Sequence, residues 1–123
     1  MRRLLIVDDD RRILELLSEH FKHAYTVEIA TDAGEALAIV RRERPDLVLL
    51  DIMLPGMSGT HLLRELKRAD PTLAVVIVTG NDSAALAAET SGTGAARIVR
   101  KPFSLDDLDR VVAQVIASPP QRD

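Results

Sequence analysis

Three uninterrupted aliphatic runs, each stopped by a polar residue, constrain this chain more than any other feature. They are Leu4-Leu5-Ile6-Val7 before Asp8, Leu47-Val48-Leu49-Leu50 before Asp51, and Leu73 to Val78 before Thr79. Runs of that length without polar alternation fit strands covered on both faces, and such strands occur in parallel sheets sandwiched by helices. The intervening segments supply the helices. Arg11 to Lys22 carries Ile13, Leu14, Leu16, Leu17 and Phe21 on one helical stripe. Asp32 to Arg42 carries Ala33, Ala36, Leu37 and Val40, and Pro45 stops it. A third helix is expected from about Ser58 to Arg68, closed by Asp70-Pro71. Ser83 to about Thr90 reads as a weaker, alanine-rich helix ended by Ser91-Gly92-Thr93-Gly94. The last helix runs from Ser104 to Ala117. Ser104 and Asp107 form a variant capping box, and Leu105, Leu108, Val112 and Val115 line an apolar face widened by Val111 and Ile116.

Two strands read differently. Tyr25 to Ala30 alternates, with Val27 and Ile29 against Thr26 and Glu28, and suits a sheet edge. Arg97-Ile98-Val99-Arg100 is short and flanked by arginines, and suits the other edge. The chain therefore reads β-α five times, an α/β pattern. Right-handed crossovers leave few topologies. The flavodoxin-like order 2-1-3-4-5 puts the two weaker strands outside and the three aliphatic ones inside, with a switch point at the carboxyl ends of strands 1 and 3. One domain is expected over residues 1–117, with 118–123, Ser-Pro-Pro-Gln-Arg-Asp, as a stiff linker or tail.

Composition removes several functions. There is no cysteine among the 123 residues, which excludes disulfide and thiolate chemistry. Aromatic residues are 2% and the net charge is −3, so a base-stacking nucleic-acid surface is not expected. The apolar run behind Met1-Arg2-Arg3 is too short for a signal peptide or membrane span, and a cytoplasmic protein is the default expectation.

The chemistry-bearing residues follow the strands: Asp8 and Asp9 after the first, Asp51 after the third, Thr79 after the fourth and Lys101 after the fifth. A doubly wound sheet brings these ends to one rim, where ligands bind. Any one such aspartate is more readily a cap or turn residue, and it is the joint pattern that carries information. Two carboxylates about 4 Å apart repel by roughly 4 kcal/mol at an effective dielectric of about 20, so the cluster needs a proton or cations. Lys101 supplies one charge. Oxygen-only ligands on an open rim suit Mg²⁺. A carboxylate nucleophile beside a divalent ion, a lysine and a hydroxyl is equipped for phosphoryl transfer, with Asp51 forming an aspartyl phosphate.

The segments Val7-Asp8-Asp9-Asp10, Leu50-Asp51-Ile52-Met53-Leu54-Pro55-Gly56-Met57-Ser58-Gly59, Thr79-Gly80 and Lys101-Pro102-Phe103 together resemble the receiver domain of bacterial two-component response regulators, over residues 2 to about 117. The resemblance implies Asp51 as phosphoacceptor. It implies Asp8 and Asp9, with Asp51 and the Met53 backbone carbonyl, as the Mg²⁺ site. It implies Thr79 as the switch hydroxyl, Lys101 as its cationic partner and a cis Lys101-Pro102 peptide. It further implies a histidine kinase or histidine phosphotransfer protein as donor, an output domain or downstream protein as reader, and a homodimer through the fourth helix, fifth strand and fifth helix. It implies a switch and not a turnover enzyme; the composition leaves no membrane or nucleic-acid contact expected of this domain. The family commonly has Tyr or Phe where this chain has Ile98, so readout through a rotating ring is not expected, and a degenerate receiver used as an interaction scaffold remains an alternative. An aspartyl-nucleophile hydrolase is disfavoured by Met53 at the position where a second aspartate would stand. A flavin carrier is disfavoured by the lack of rings.

Several residues have plainer readings. Asp10 is expected to cap the first helix. The pairs Arg2-Arg3, Arg11-Arg12 and Arg41-Arg42 are expected at solvated strand and helix ends. His20, His23 and His61 lack ligand spacing and are expected on the surface.

Overall fold

The computed structural model describes residues 1–52, 54, 57, 59–80 and 95–117. The described elements are β1 (Arg3–Val7), α1 (Arg11–Phe21), β2 (Thr26–Ala30), α2 (Ala33–Arg42), β3 (Leu47–Asp51), α3 (Gly59–Ala69), β4 (Ala74–Thr79), β5 (Arg97–Arg100) and α4 (Leu105–Ala117). The expected helix over 83–90, its glycine-rich end and the tail 118–123 lie outside the described residues, as does Met53. All pairings are parallel, and the sheet order is β2-β1-β3-β4-β5. The two strands expected at the edges are there.

Strand alternation divides the core into two layers. Leu5, Val7, Val48, Leu50, Val75 and Ile77 face α2 and α3, whose Ala36, Val40, Leu62, Leu63 and Leu66 close that side. Leu4, Ile6, Leu49, Val76 and Val78 face α1 and α4, closed by Leu14, Leu17, Phe21, Leu108 and Val112. These side chains are essentially fully buried, and each fully buried Leu, Ile or Val contributes about 1.5–3 kcal/mol relative to exposure. The continuous apolar runs are therefore explained by helices on both faces.

Helix starts follow local chemistry. Asp10 accepts from the Arg12 N–H at 2.9 Å, Asp32 from the Glu35 N–H at 2.8 Å, and Ser104 Oγ from the Asp107 N–H at 3.0 Å. Each satisfies an N–H that the first turn leaves without a helical partner.

Four expectations need correction. Leu16 is 51% exposed: it lies about 130° round the helix from the centre of the buried Leu14, Leu17 and Phe21 stripe. Ile29 is 40% exposed, because β2 is an edge strand flanked by only one neighbour. Arg3 is not a solvated end. Its guanidinium lies 2.7 Å from Glu43 and 3.3 Å from Glu28, and its N–H donates to Asp46 Oδ2 at 2.7 Å, joining β1, β2 and the loop before β3. His20 is half-buried, and its Nε2 donates to Asp109 Oδ1 at 2.7 Å, tying the end of α1 to α4. His23 and His61 are exposed as expected. No helix among the described residues is long and apolar enough to cross a membrane.

Candidate functional site

Asp8 follows β1 and Asp51 ends β3, adjacent strands on either side of the switch point. Their carboxylates and that of Asp9 converge, with one oxygen from each lying within 4.8 Å of the others. Asp8 and Asp51 are 4% and 7% exposed, whereas Asp9 is exposed. Lys101, just after β5, reaches across β4. Its Nζ lies 3.5 Å from Asp51 Oδ2 and 3.7 Å from Asp8 Oδ2. Thr79 ends β4 and is fully buried, and its carbonyl accepts from the Lys101 N–H at 2.7 Å. The Lys101-Pro102 peptide is cis. Asp8, Asp9, Asp51, Thr79 and Lys101 thus stand on the same rim. The Met53 carbonyl lies outside the described residues.

The electrostatics are those of a site with too much negative charge. Burial pushes the Asp8 carboxyl up to about 6, and the neighbouring Asp51 charge adds to this. The Asp10 backbone N–H, 2.9 Å from Asp8 Oδ1, and the Lys101 ammonium oppose it without cancelling it. One ammonium does not neutralise three carboxylates. The donor set is hard oxygen only, which matches a divalent cation that prefers carboxylates and retains water, as Mg²⁺ does. The residues present therefore fit such an ion.

Asp10 is not part of the converging group: its side chain caps α1, as expected. Two features had no clear sequence signal. The N–H of Gly59, the first residue of α3, donates to the Ile52 carbonyl at 3.0 Å, and a Cβ at Gly59 would lie 2.4 Å from Ile52 Cα. Gly59 was visible as part of a motif, but the close approach to the residue after Asp51 was not. Ile98 is half-buried on β5, paired with Ile77 and packed against the α2–α3 layer.

The response regulator receiver domain model matches residues 4–113. The chain belongs to the response regulator receiver domain family. The receiver is 38% identical over 115 residues to sporulation initiation phosphotransferase F of Bacillus subtilis, covering 93% of both chains. It is 37% identical over 107 residues to the response regulator MprA of Mycobacterium leprae, covering 86% of this chain but 47% of that protein. The receiver thus spans about half the length of the MprA relatives it matches. Among solved structures, it resembles a CheY-like receiver domain protein from Methanospirillum hungatei with a TM-score of 0.90 at 36% identity, covering 94% of both chains. The receiver domain of NtrX from Brucella abortus gives a TM-score of 0.86 at 33% identity, covering 94% of this chain and 98% of that one. These likenesses make the receiver a flavodoxin-like phosphoacceptor signalling switch of a two-component system, a class that works with histidine kinases or phosphotransfer proteins and with output domains.

Proposed function

We propose that Asp51 accepts the phosphoryl group, that Asp8, Asp9 and Asp51 hold Mg²⁺ together with the Met53 backbone carbonyl, and that Lys101 and Thr79 receive the phosphoryl charge. The observation that carries this reading is the convergence of three carboxylates within 4.8 Å, two of them 3.5 and 3.7 Å from one lysine. Bound Mg²⁺ would supply neutralisation of the charge on the transferring group. An Asp51 carboxylate oxygen forms the new bond to phosphorus as the bond from phosphorus to the donor imidazole nitrogen breaks, and that nitrogen keeps the electron pair. Lys101, already beside Asp51 Oδ2, then faces a phosphoryl group in place of a carboxylate oxygen. The Thr79 hydroxyl, at the end of the strand between those that carry Asp51 and Lys101, is the donor that completes the new set of contacts. Phosphorylation shifts the conformational balance only by the difference in these contacts between two states.

The donor on this reading is a histidine kinase or histidine phosphotransfer protein. The reader is an output domain or a downstream protein, with self-association through β5, α4 and the segment between β4 and β5 as one route. Residues 1–117 form the receiver unit, with 118–123 as linker or tail. The protein is a cytoplasmic switch that catalyses transfer onto itself and does not turn over metabolites. Ile98 removes the ring through which signal readout commonly runs, so the Thr79 contact carries more of it here.

Incubation with Mg²⁺ and acetyl phosphate, followed by peptide mass spectrometry, tests the assignment. A phosphoryl group on the peptide holding Asp51, absent in Asp51→Asn and absent with chelator, is the expected result. Modification elsewhere, or equal modification of Asp51→Asn, overturns it.

A further inference from the structure

Asp10 is the third acidic residue of a run whose first two members join the carboxylate cluster, yet its own side chain faces away from that cluster. Two hydrogen bonds in series pass through it. Its carboxylate Oδ1 accepts from the Arg12 N–H at 2.9 Å, and its own N–H donates to Asp8 Oδ1 at 2.9 Å. Its carbonyl accepts from the Leu14 N–H at 3.1 Å, so the residue is locked to α1 from both sides. The backbone at Asp10 is extended, with φ −86° and ψ 107°, as a residue that caps a helix without joining it must be. That conformation is what aims the N–H at Asp8. With Oδ1 held, Asp8 presents Oδ2 towards Lys101, 3.7 Å away, on the side shared with Asp51.

We propose that Asp10 is a positioning residue of the cation site: by capping α1 it holds its backbone N–H on Asp8 Oδ1 and so fixes the direction of the Asp8 carboxylate. It touches neither ion nor phosphoryl group. The proposal rests on the reading of Asp8 as part of the Mg²⁺ site. Its specific content is that capping ability at residue 10, and not negative charge, is what the site requires. Asn and Ser cap helices about as well as Asp, and Ala does not.

The test measures Mg²⁺ affinity by calorimetry, with no phosphorylation involved, in the wild-type chain and in Asp10→Ala, Asp10→Asn and Asp10→Ser. Asp32→Ala, which removes the corresponding cap of α2, controls for loss of stability alone. Asp10→Ala is expected to weaken Mg²⁺ about fivefold, the equivalent of a typical lost cap. Asp10→Asn and Asp10→Ser are expected within about twofold of wild type, and Asp32→Ala unchanged. Amide exchange on the metal-free chain gives a second readout: the residue-10 N–H should be protected in wild type, Asn and Ser and unprotected in Ala. Equal affinity in wild type and Asp10→Ala overturns the proposal. Equal weakening in all three Asp10 variants also overturns it, because it assigns the effect to charge. Normal Mg²⁺ binding without modification of Asp51 sinks the phosphoacceptor assignment and leaves the positioning role standing. Failure of the wild-type chain to bind Mg²⁺ overturns both.

Discussion

Asp8 shows how one buried residue sets the behaviour of the site. Its carboxyl is raised from the ordinary 3.8 to about 6, first by burial and then by the Asp51 charge. The folded chain therefore holds the Asp8 proton more tightly than the unfolded chain does. Below pH 3.8 both states are protonated and the residue has no effect. As pH rises towards about 6 the unfolded state loses its proton first, and the folded state becomes progressively less stable. The full penalty, on the order of 3 kcal/mol, is present above that range. In metal-free buffer, Asp8→Asn should gain stability over wild type by that amount at pH 7 and by only about 0.5 kcal/mol at pH 4. Urea unfolding at both pH values checks it, and a gain independent of pH would contradict the assignment. Added Mg²⁺ should stabilise wild type and not Asp8→Asn. Gly59 makes a steric demand. A Cβ there would stand 2.4 Å from Ile52 Cα and 2.7 Å from the Ile52 carbonyl oxygen, both backbone atoms that cannot rotate away. Gly59→Ala should lower stability by about 1–3 kcal/mol, read by thermal melting, and should slow acetyl phosphate labelling by displacing the segment after Asp51.

At the scale of elements, what could be read from sequence was local. The caps at Asp10 and Ser104 each use an N–H two or three residues away, so a short window contains the whole interaction. The aliphatic strands were readable for a related reason: covering both faces of a strand removes the need for polar alternation. The His20–Asp109 contact had no such signal, since its partners are 89 residues apart and lie on different helices. A lone histidine in α1 says nothing of an aspartate in α4 until the two helices share one face of the sheet. Asp109 is 46% exposed, so the contact is partly screened by water. A double-mutant cycle with His20→Ala and Asp109→Ala should give a coupling of about 1 kcal/mol by urea unfolding. Zero coupling would mean that the pair does not hold α1 to α4.

At the scale of the molecule, the central strands deliver the carboxylates, and the β4–β5 side delivers the groups that respond. Thr79 ends β4 in register with Arg100, and the Lys101 N–H bonds the Thr79 carbonyl, so hydroxyl and ammonium are tied to one strand pair. Thr79→Ala should leave labelling of Asp51 within a few fold of wild type while reducing the change in amide exchange on β4 and β5 produced by a phosphoryl mimic. Loss of labelling itself would overturn that division of labour. The amino-acid sequence alone determined the order of the described strands and helices, the sheet edges and the polar residue at the end of each functional strand. These depend on periodicity, covering and capping, which act over a few residues. Tertiary structure decided the rest: Lys101 between Asp8 and Asp51, the raised Asp8 carboxyl, the backbone approach of Gly59 to Ile52 and the exposure of Leu16 and Ile29. Each of those depends on distances and burial between segments far apart in the chain, and only packing two helical layers on the twisted sheet sets them.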